Sequence, residues 1–317
     1  MSLSLLGYRS WEGKLGTSLR AIWPISRVSL MLVFRQKLYW VLYLLALMTF
    51  FVYFFGIYLF SQIDTDTIGP NRPGVPAQAA SRFFVDIKNT IQKDLKLTGN
   101  VETYRNFYVL QGYYVMVVLA LAGSLIIGND YRYGSLAFYL SKPMGHWHYL
   151  AGKILTVAVF TLLMTLVPAV VLYLECSMLM EEDYFTNNLR MLAGITLYAI
   201  AIAGVLGVLV VALASAVRRT APLVMIWIAI LAICPVMGNL FVDRLGYSAN
   251  WRLIDLWNDL YVFGSWCLNV SPIPPTGPRG FIRRQPELLP TMLVLGTLMV
   301  TCLFYLHRKI RAVEVVT

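Results

Sequence analysis

Six long apolar runs fix what this chain can become. They lie at 38–60, 107–127, 150–174, 191–217, 221–241 and 288–306, each 19 to 27 residues long. A helix needs about 20 apolar residues to cross a bilayer. The runs are continuous, whereas the strands of a membrane barrel alternate in short segments. The expected fold class is an all-α membrane protein with six transmembrane helices. Composition agrees: 58% of residues are apolar and only 13% charged, against roughly 25% charged in soluble domains. The first run follows 37 residues and carries no small-x-small cleavage site, so it reads as an uncleaved span.

Charge placement orients the spans. With segments 1–37, 128–153, 218–220 and 307–317 placed inside, that side holds fourteen Lys/Arg against three acids. The connector after the third run has no Lys or Arg, and the one after the fourth has Arg218 and Arg219. Short loops rich in Lys/Arg stay cytoplasmic, so both termini are expected inside. The net charge of +10 is then a topology signal. A nucleic-acid role would need a basic face on a soluble fold, and no nucleic-acid partner is expected.

Two units are expected: 1–37, an inner segment with an interfacial helix, and 38–317, the six-span domain. In 18–37, Ile22, Ile25, Ser29 and Leu32 fall on one side and Arg20, Arg27 and Arg35 nearer the other. That pattern predicts an amphipathic helix in the inner membrane interface, its arginines facing lipid head groups. In the outer loop 61–106, Phe84, Ile87, Ile91 and Leu95 are spaced as one helical face, with Gly99-Asn100 as a stop. That helix could rest on the membrane, or serve as a lid or as the dock for an outer-side partner protein. In the second outer loop, 242–287, Leu253, Trp257, Leu260 and Gly264 share a face, predicting short helices dipping into the outer leaflet. Pro222 suits a helix start, and Pro235 is placed to bend or stop the fifth span. Cys176 and Cys267 both fall outside the cell, where a disulfide can form, but spacing does not specify connectivity.

Several chemistries are disfavoured. Ion-coupled carriers place ionisable groups at bilayer depth, whereas here Lys153 and Glu175 only edge the third run. A serine protease in the membrane would need a His in a span, and all three His lie outside the runs; Ser124 reads as a small packing residue. His146 and His148 are too few for a closed zinc site. No GxxxxGK[ST] phosphate loop occurs. The chain is therefore expected not to be an enzyme and to carry no cofactor; ATP chemistry would have to come from another polypeptide.

The connector 128–149 is richer than a turn requires. The stretch 127–155 reads "IGNDYRYGSLAFYLSKPMGHWHYLAGKIL". With six spans and a basic tail "HRKIRAVEVV", it resembles the permease subunit of the type-two ATP-binding-cassette exporters. The matching positions are Asn129, Asp130, Gly134, Ser135, Leu136, Leu140, Ser141, Pro143, Gly152 and Lys153. The long first outer loop and the aromatic "HWHY" depart from the family pattern. The resemblance implies that the connector is a cytoplasmic coupling helix seated on a separate ATP-binding-cassette ATPase, which would hold ATP and Mg. Asp130 and Arg132 could then make charge-assisted hydrogen bonds across that interface. Tyr131, Tyr133, Phe138 and Trp147 would bury aromatic area there, Gly134 would permit a close approach, and Pro143 would end the helix. A second permease subunit, alike or different, is implied too, in a bacterial cytoplasmic membrane. The alternative is a non-transporting or mechanotransmission subunit of an envelope assembly.

Overall fold

The computed structural model of the chain describes residues 22–62, 96–123, 126, 146–180, 183–217, 220–272 and 284–309. Those residues are helical with short connections, and none is in a strand. The helix α1 (Ile22–Phe34) precedes span one, α2 (Lys37–Gln62). Span two is α3 (Val101–Gly123) and span three is α4 (His146–Leu179). A single-turn α5 (Tyr184–Asn187) leads to span four, α6 (Leu189–Ala216). Span five begins as α7 (Thr220–Ile228) and resumes as α8 (Cys234–Asn239). A 3₁₀ turn (Ala249–Ile254) and α9 (Leu256–Cys267) follow, and α10 (Leu288–Lys309) is span six. Six helices are long and apolar enough to cross a membrane, at the positions the apolar runs predict.

Burial sorts them. Span four has 72% of its most apolar stretch buried and span six only 11%. Span four is the post of the bundle, packed on spans two, three and six and on α9. Spans one, five and six keep broad exposed apolar faces, including Phe55, Met225 and Val300. In lipid such faces cost nothing, because acyl chains are as apolar as the side chains. Association must therefore come from close packing and interhelical hydrogen bonds. Both are present. Tyr108 Oη donates to the Ile195 carbonyl at 3.0 Å, joining spans two and four. Gln111 Nε2 donates to the Ala46 carbonyl at 3.2 Å, joining spans two and one. Trp227 Nε1 donates to the Met116 carbonyl at 2.9 Å, joining spans five and two. The indole of Trp257 on α9 lies where a Cβ at Gly112 would stand, and the Tyr198 ring fills the same space at Gly264.

Span five does not stop at Pro235. It runs to Arg244 through two π segments, Ala229–Ile233 and Leu240–Arg244. Proline removes one N–H and crowds the carbonyl four residues back. A π turn placed just before it takes up the extra residue without ending the helix.

Three expectations change in part. The buried face of α1 is Ile25, Ser26, Ser29, Leu30 and Val33, while Leu32, Trp23 and Met31 are exposed. The helix turns its serines, rather than its largest apolar residues, toward the protein, since hydroxyls need partners and apolar groups facing lipid do not. The helix α9 is buried nearly all round, from Leu256 to Ser265. The predicted face of Trp257, Leu260 and Gly264 is buried in the bundle, and so are Asp259, Tyr261 and Val262 beside it. Cys176 and Cys267 are free thiols: Cys176 is buried beside Tyr104, whose hydroxyl donates to its Sγ at 3.4 Å, and Cys267 sets its carbonyl against Gly194 of span four. The predicted outer helix carrying Phe84, Ile87, Ile91 and Leu95 lies outside the described residues, as do residues 18–21 of the predicted inner helix.

Candidate functional site

Ile126 and His146 are the described residues on either side of the connector. Of the predicted coupling residues, Asn129, Asp130, Tyr131, Arg132, Tyr133, Gly134, Ser135, Phe138, Ser141 and Pro143 lie outside the described residues. Trp147 is described. It sits in the first turn of α4, half exposed, with its ring stacked on His307 of span six at 5.0 Å and 12°. Part of its surface is thus spent within the chain, tying span three to the last turn of span six.

The frame that carries the connector is well defined. At the start of span three, Gly152 leaves room for α1: a Cβ there would stand 2.9 Å from Ile25 Cγ2 and 3.2 Å from the Ile22 carbonyl oxygen. Ser26 Oγ donates to the Gly152 carbonyl at 2.7 Å, and Thr156 Oγ1 donates to the same oxygen at 2.8 Å. Lys153, only 2% exposed, donates from Nζ to the Ile126 carbonyl at 2.6 Å and to Ser29 Oγ at 3.0 Å. Its ammonium also lies 5.5 Å from the centre of the Tyr149 ring. A buried ammonium is costly unless hydrogen-bonded. A lysine over the end of a helix also satisfies carbonyls that have no partner in the helix itself.

The opposite end of the bundle is built differently. Arg252 is 1% exposed. Its Nη2 reaches both carboxylate oxygens of Asp243 at 2.7 Å, and its Nη1 donates to the Arg284 carbonyl at 2.7 Å. Arg105 donates from Nη1 to the Ser271 carbonyl at 3.2 Å, with its guanidinium 5.7 Å from the Tyr261 ring centre. Tyr184 Oη donates to the Gly99 carbonyl at 2.7 Å, where Gly99 takes φ +72°. Asp255 caps α9, accepting from the backbone N–H groups of Trp257 and Asn258. Asp259, one turn on, is fully buried, and among the described residues neither carboxylate oxygen has a hydrogen-bond partner. Burial first, and then the charge of Asp255, pushes the Asp259 carboxyl up to about 8.

Sequence reasoning placed Lys153 at a span edge and missed what it joins. Ser26 and Ser29 fall one helical turn apart on the helix that also carries Arg27, a pattern that does not point to a lysine more than a hundred residues away. Arg105 and Arg252 were missed because each lay in a predicted loop, although their helices carry them into the bundle.

This arrangement defines a multi-pass membrane protein with a polar connector framed by three helices. The sequence matches the family described as ABC-2 family transporter protein over residues 24–267, a region running from α1 through α9. The chain belongs to that family and is a permease subunit of an ATP-binding-cassette transporter, associating as such with an ATP-binding-cassette ATPase subunit. No curated protein matches the chain significantly.

Proposed function

We propose that the chain is the membrane half of an ATP-driven exporter, two permease subunits working with two ATPase subunits. ATP and Mg belong to the ATPase; the chain has no phosphate loop of its own and is not itself an enzyme. The connector 128–149 is the coupling segment, with Asp130 and Arg132 as its charged contacts and Tyr131, Tyr133 and Phe138 as its aromatic ones. ATP binding draws the ATPases together, and the connector carries that movement into the bundle. The membrane is the bacterial cytoplasmic membrane with both termini inside, a placement supported by the fourteen Lys/Arg of the inner segments.

The observation that carries this reading is the family match across residues 24–267, which spans the connector. Affinity capture of the tagged chain from native membranes tests it. The expected product is a complex containing a separate ATPase with a phosphate loop. Asp130→Ala combined with Arg132→Ala should lower its permease-dependent ATPase rate by about tenfold or more, the scale of losing charge-assisted hydrogen bonds. Recovery without any ATPase would sink the reading. An ATPase that responds to no amphiphile in liposomes, but to an envelope partner, would favour the mechanotransmission role.

A further inference from the structure

The two ends of the connector, Ile126 and His146, open from different spans, and nothing in a loop alone forces them to move together. Lys153 does. Its ammonium reaches back to the Ile126 carbonyl at 2.6 Å, closing the neck of the connector from the span-three side. The same ammonium reaches Ser29 Oγ at 3.0 Å, which belongs to a third helix. Around it, Ser26 donates to the Gly152 carbonyl at 2.7 Å, and the absence of a side chain at Gly152 lets α1 lie against the backbone. Ser26, Ser29, Lys153 and Thr156 are all buried. So three chain segments, one of them more than a hundred residues away in sequence and one twenty-seven, meet on one cation.

We propose that Lys153 is a positioning residue that locks both ends of the connector and the helix α1 into one mechanical unit. Movement of the connector is then delivered to spans two and three and to α1 together. A lysine suits this post. Its long stem crosses the space between helices, and its three donors serve acceptors on different elements at once. A merely capping lysine would need only the Ile126 carbonyl. The serine on α1, and the glycine that admits α1, are the features that capping leaves unexplained. The coupling arm of the test rests on the ATPase-driven reading above; the structural arm does not.

The experiment compares the full chain with Lys153→Met and Ser29→Ala, each in lipid nanodiscs, by backbone hydrogen exchange. Local opening free energies set exchange rates, and loss of a charged hydrogen bond is worth about tenfold or more in an equilibrium. Lys153→Met should exchange the amides of Ile22–Phe34 about tenfold faster, with the far-end residues Val101–Tyr108 unchanged. Ser29→Ala should give a smaller change, about threefold, confined to α1, because it removes a neutral acceptor only. In complexes captured with the ATPase, Lys153→Met should retain association yet lose about tenfold of the permease-dependent ATPase rate. Unchanged α1 exchange in Lys153→Met overturns the proposal, and so does loosened α1 with full coupling. If Lys153→Met gives no folded protein, Ser29→Ala decides: unchanged α1 exchange overturns the proposal there too. A wild-type chain that recovers no ATPase counts against the exporter reading, while the exchange comparison still decides the role of Lys153.

Discussion

The connector end and the far end of this bundle are held by opposite means. At the connector end one ammonium serves a hydroxyl and a carbonyl on two other segments, among small residues: Ser26, Ser29, Gly152 and Thr156. At the far end two buried arginines and a seam of tyrosines bind span ends, α9 and the loops between them. The first arrangement is thin and adjustable, for a lysine stem has four rotatable bonds and its donors are not fixed in a plane. The second is stiffer, because each planar guanidinium is held from more than one side, Arg252 by Asp243 and the Arg284 carbonyl and Arg105 by the Ser271 carbonyl and the Tyr261 ring. On the function proposed above, that division gives a joint where force enters and a clamp where the helices keep register.

Four substitutions sharpen the contrast. The largest effect should come from Arg252→Met, which leaves Asp243 facing a gap in its ion pair. Arg252 is buried while Asp243 keeps access to solvent; its charge-assisted hydrogen bonds to Asp243 and to the Arg284 carbonyl contribute about 1.5–3 kcal/mol each, and thermal unfolding in detergent should show a fall in Tm of several degrees or outright loss of folded protein. Next, Gly112→Leu must displace the Trp257 indole from the face of span two. Overpacking of this kind costs about 1–3 kcal/mol, and pairing it with Trp257→Ala should recover part of the loss; an additive double variant would show that the two do not share the space. Third, Tyr108→Phe removes the hydrogen bond to the Ile195 carbonyl and keeps the ring, for a loss of about 1 kcal/mol by chemical denaturation.

The last effect is one of pH. The Asp259 carboxyl sits at about 8 in the folded protein, well above the ordinary carboxylate range. Between that range and 8 the folded state holds a proton that the unfolded state has lost. Stability from this group therefore falls as pH rises through that window. Asp259→Asn should flatten the dependence of Tm on pH across it. A wild-type profile with no downward slope there would mean that the carboxyl finds a partner in the membrane. Of these substitutions, none acts at the connector end; each should leave association with the ATPase intact wherever the chain still folds.

The spans were legible because apolar length alone decides them. Even Lys37 and Gln62, which close the first helix, lie within two residues of the apolar run. Sidedness rests on the placement of Lys and Arg alone, a rule of charge rather than of packing, and stays with the proposed function. The helix faces were legible in part: Trp257, Leu260 and Gly264 of α9 and Ile25 and Ser29 of α1 are buried as predicted, whereas Leu32 of α1 is exposed. Periodicity assumes that apolar residues turn inward, which holds where water lies outside. With lipid outside, Trp23 and Met31 can face outward and Ser26 and Ser29 must not. The same inversion hid Asp259 inside α9. Lys153 was visible as a letter at a span edge, but its partners sit more than a hundred residues upstream on Ser29 and twenty-seven upstream on Ile126. No local pattern could join them. The coupling residues from Asn129 to Pro143 were assigned by resemblance alone and lie outside the described residues.

The π segments of span five carry a practical consequence for anyone mapping which side of that helix meets lipid. Each one holds an extra residue in a turn, and so rotates everything beyond it by about 100° relative to an ordinary α-helix. A wheel drawn through Ala221–Arg244 at constant pitch is true up to Ile228. It is one residue out of phase after Ile233 and two after Arg244. Labels placed at Val236 or Leu240 on the strength of that wheel would report on the wrong neighbour, and a scan of accessibility would seem to lose its period where the helix has only changed its count.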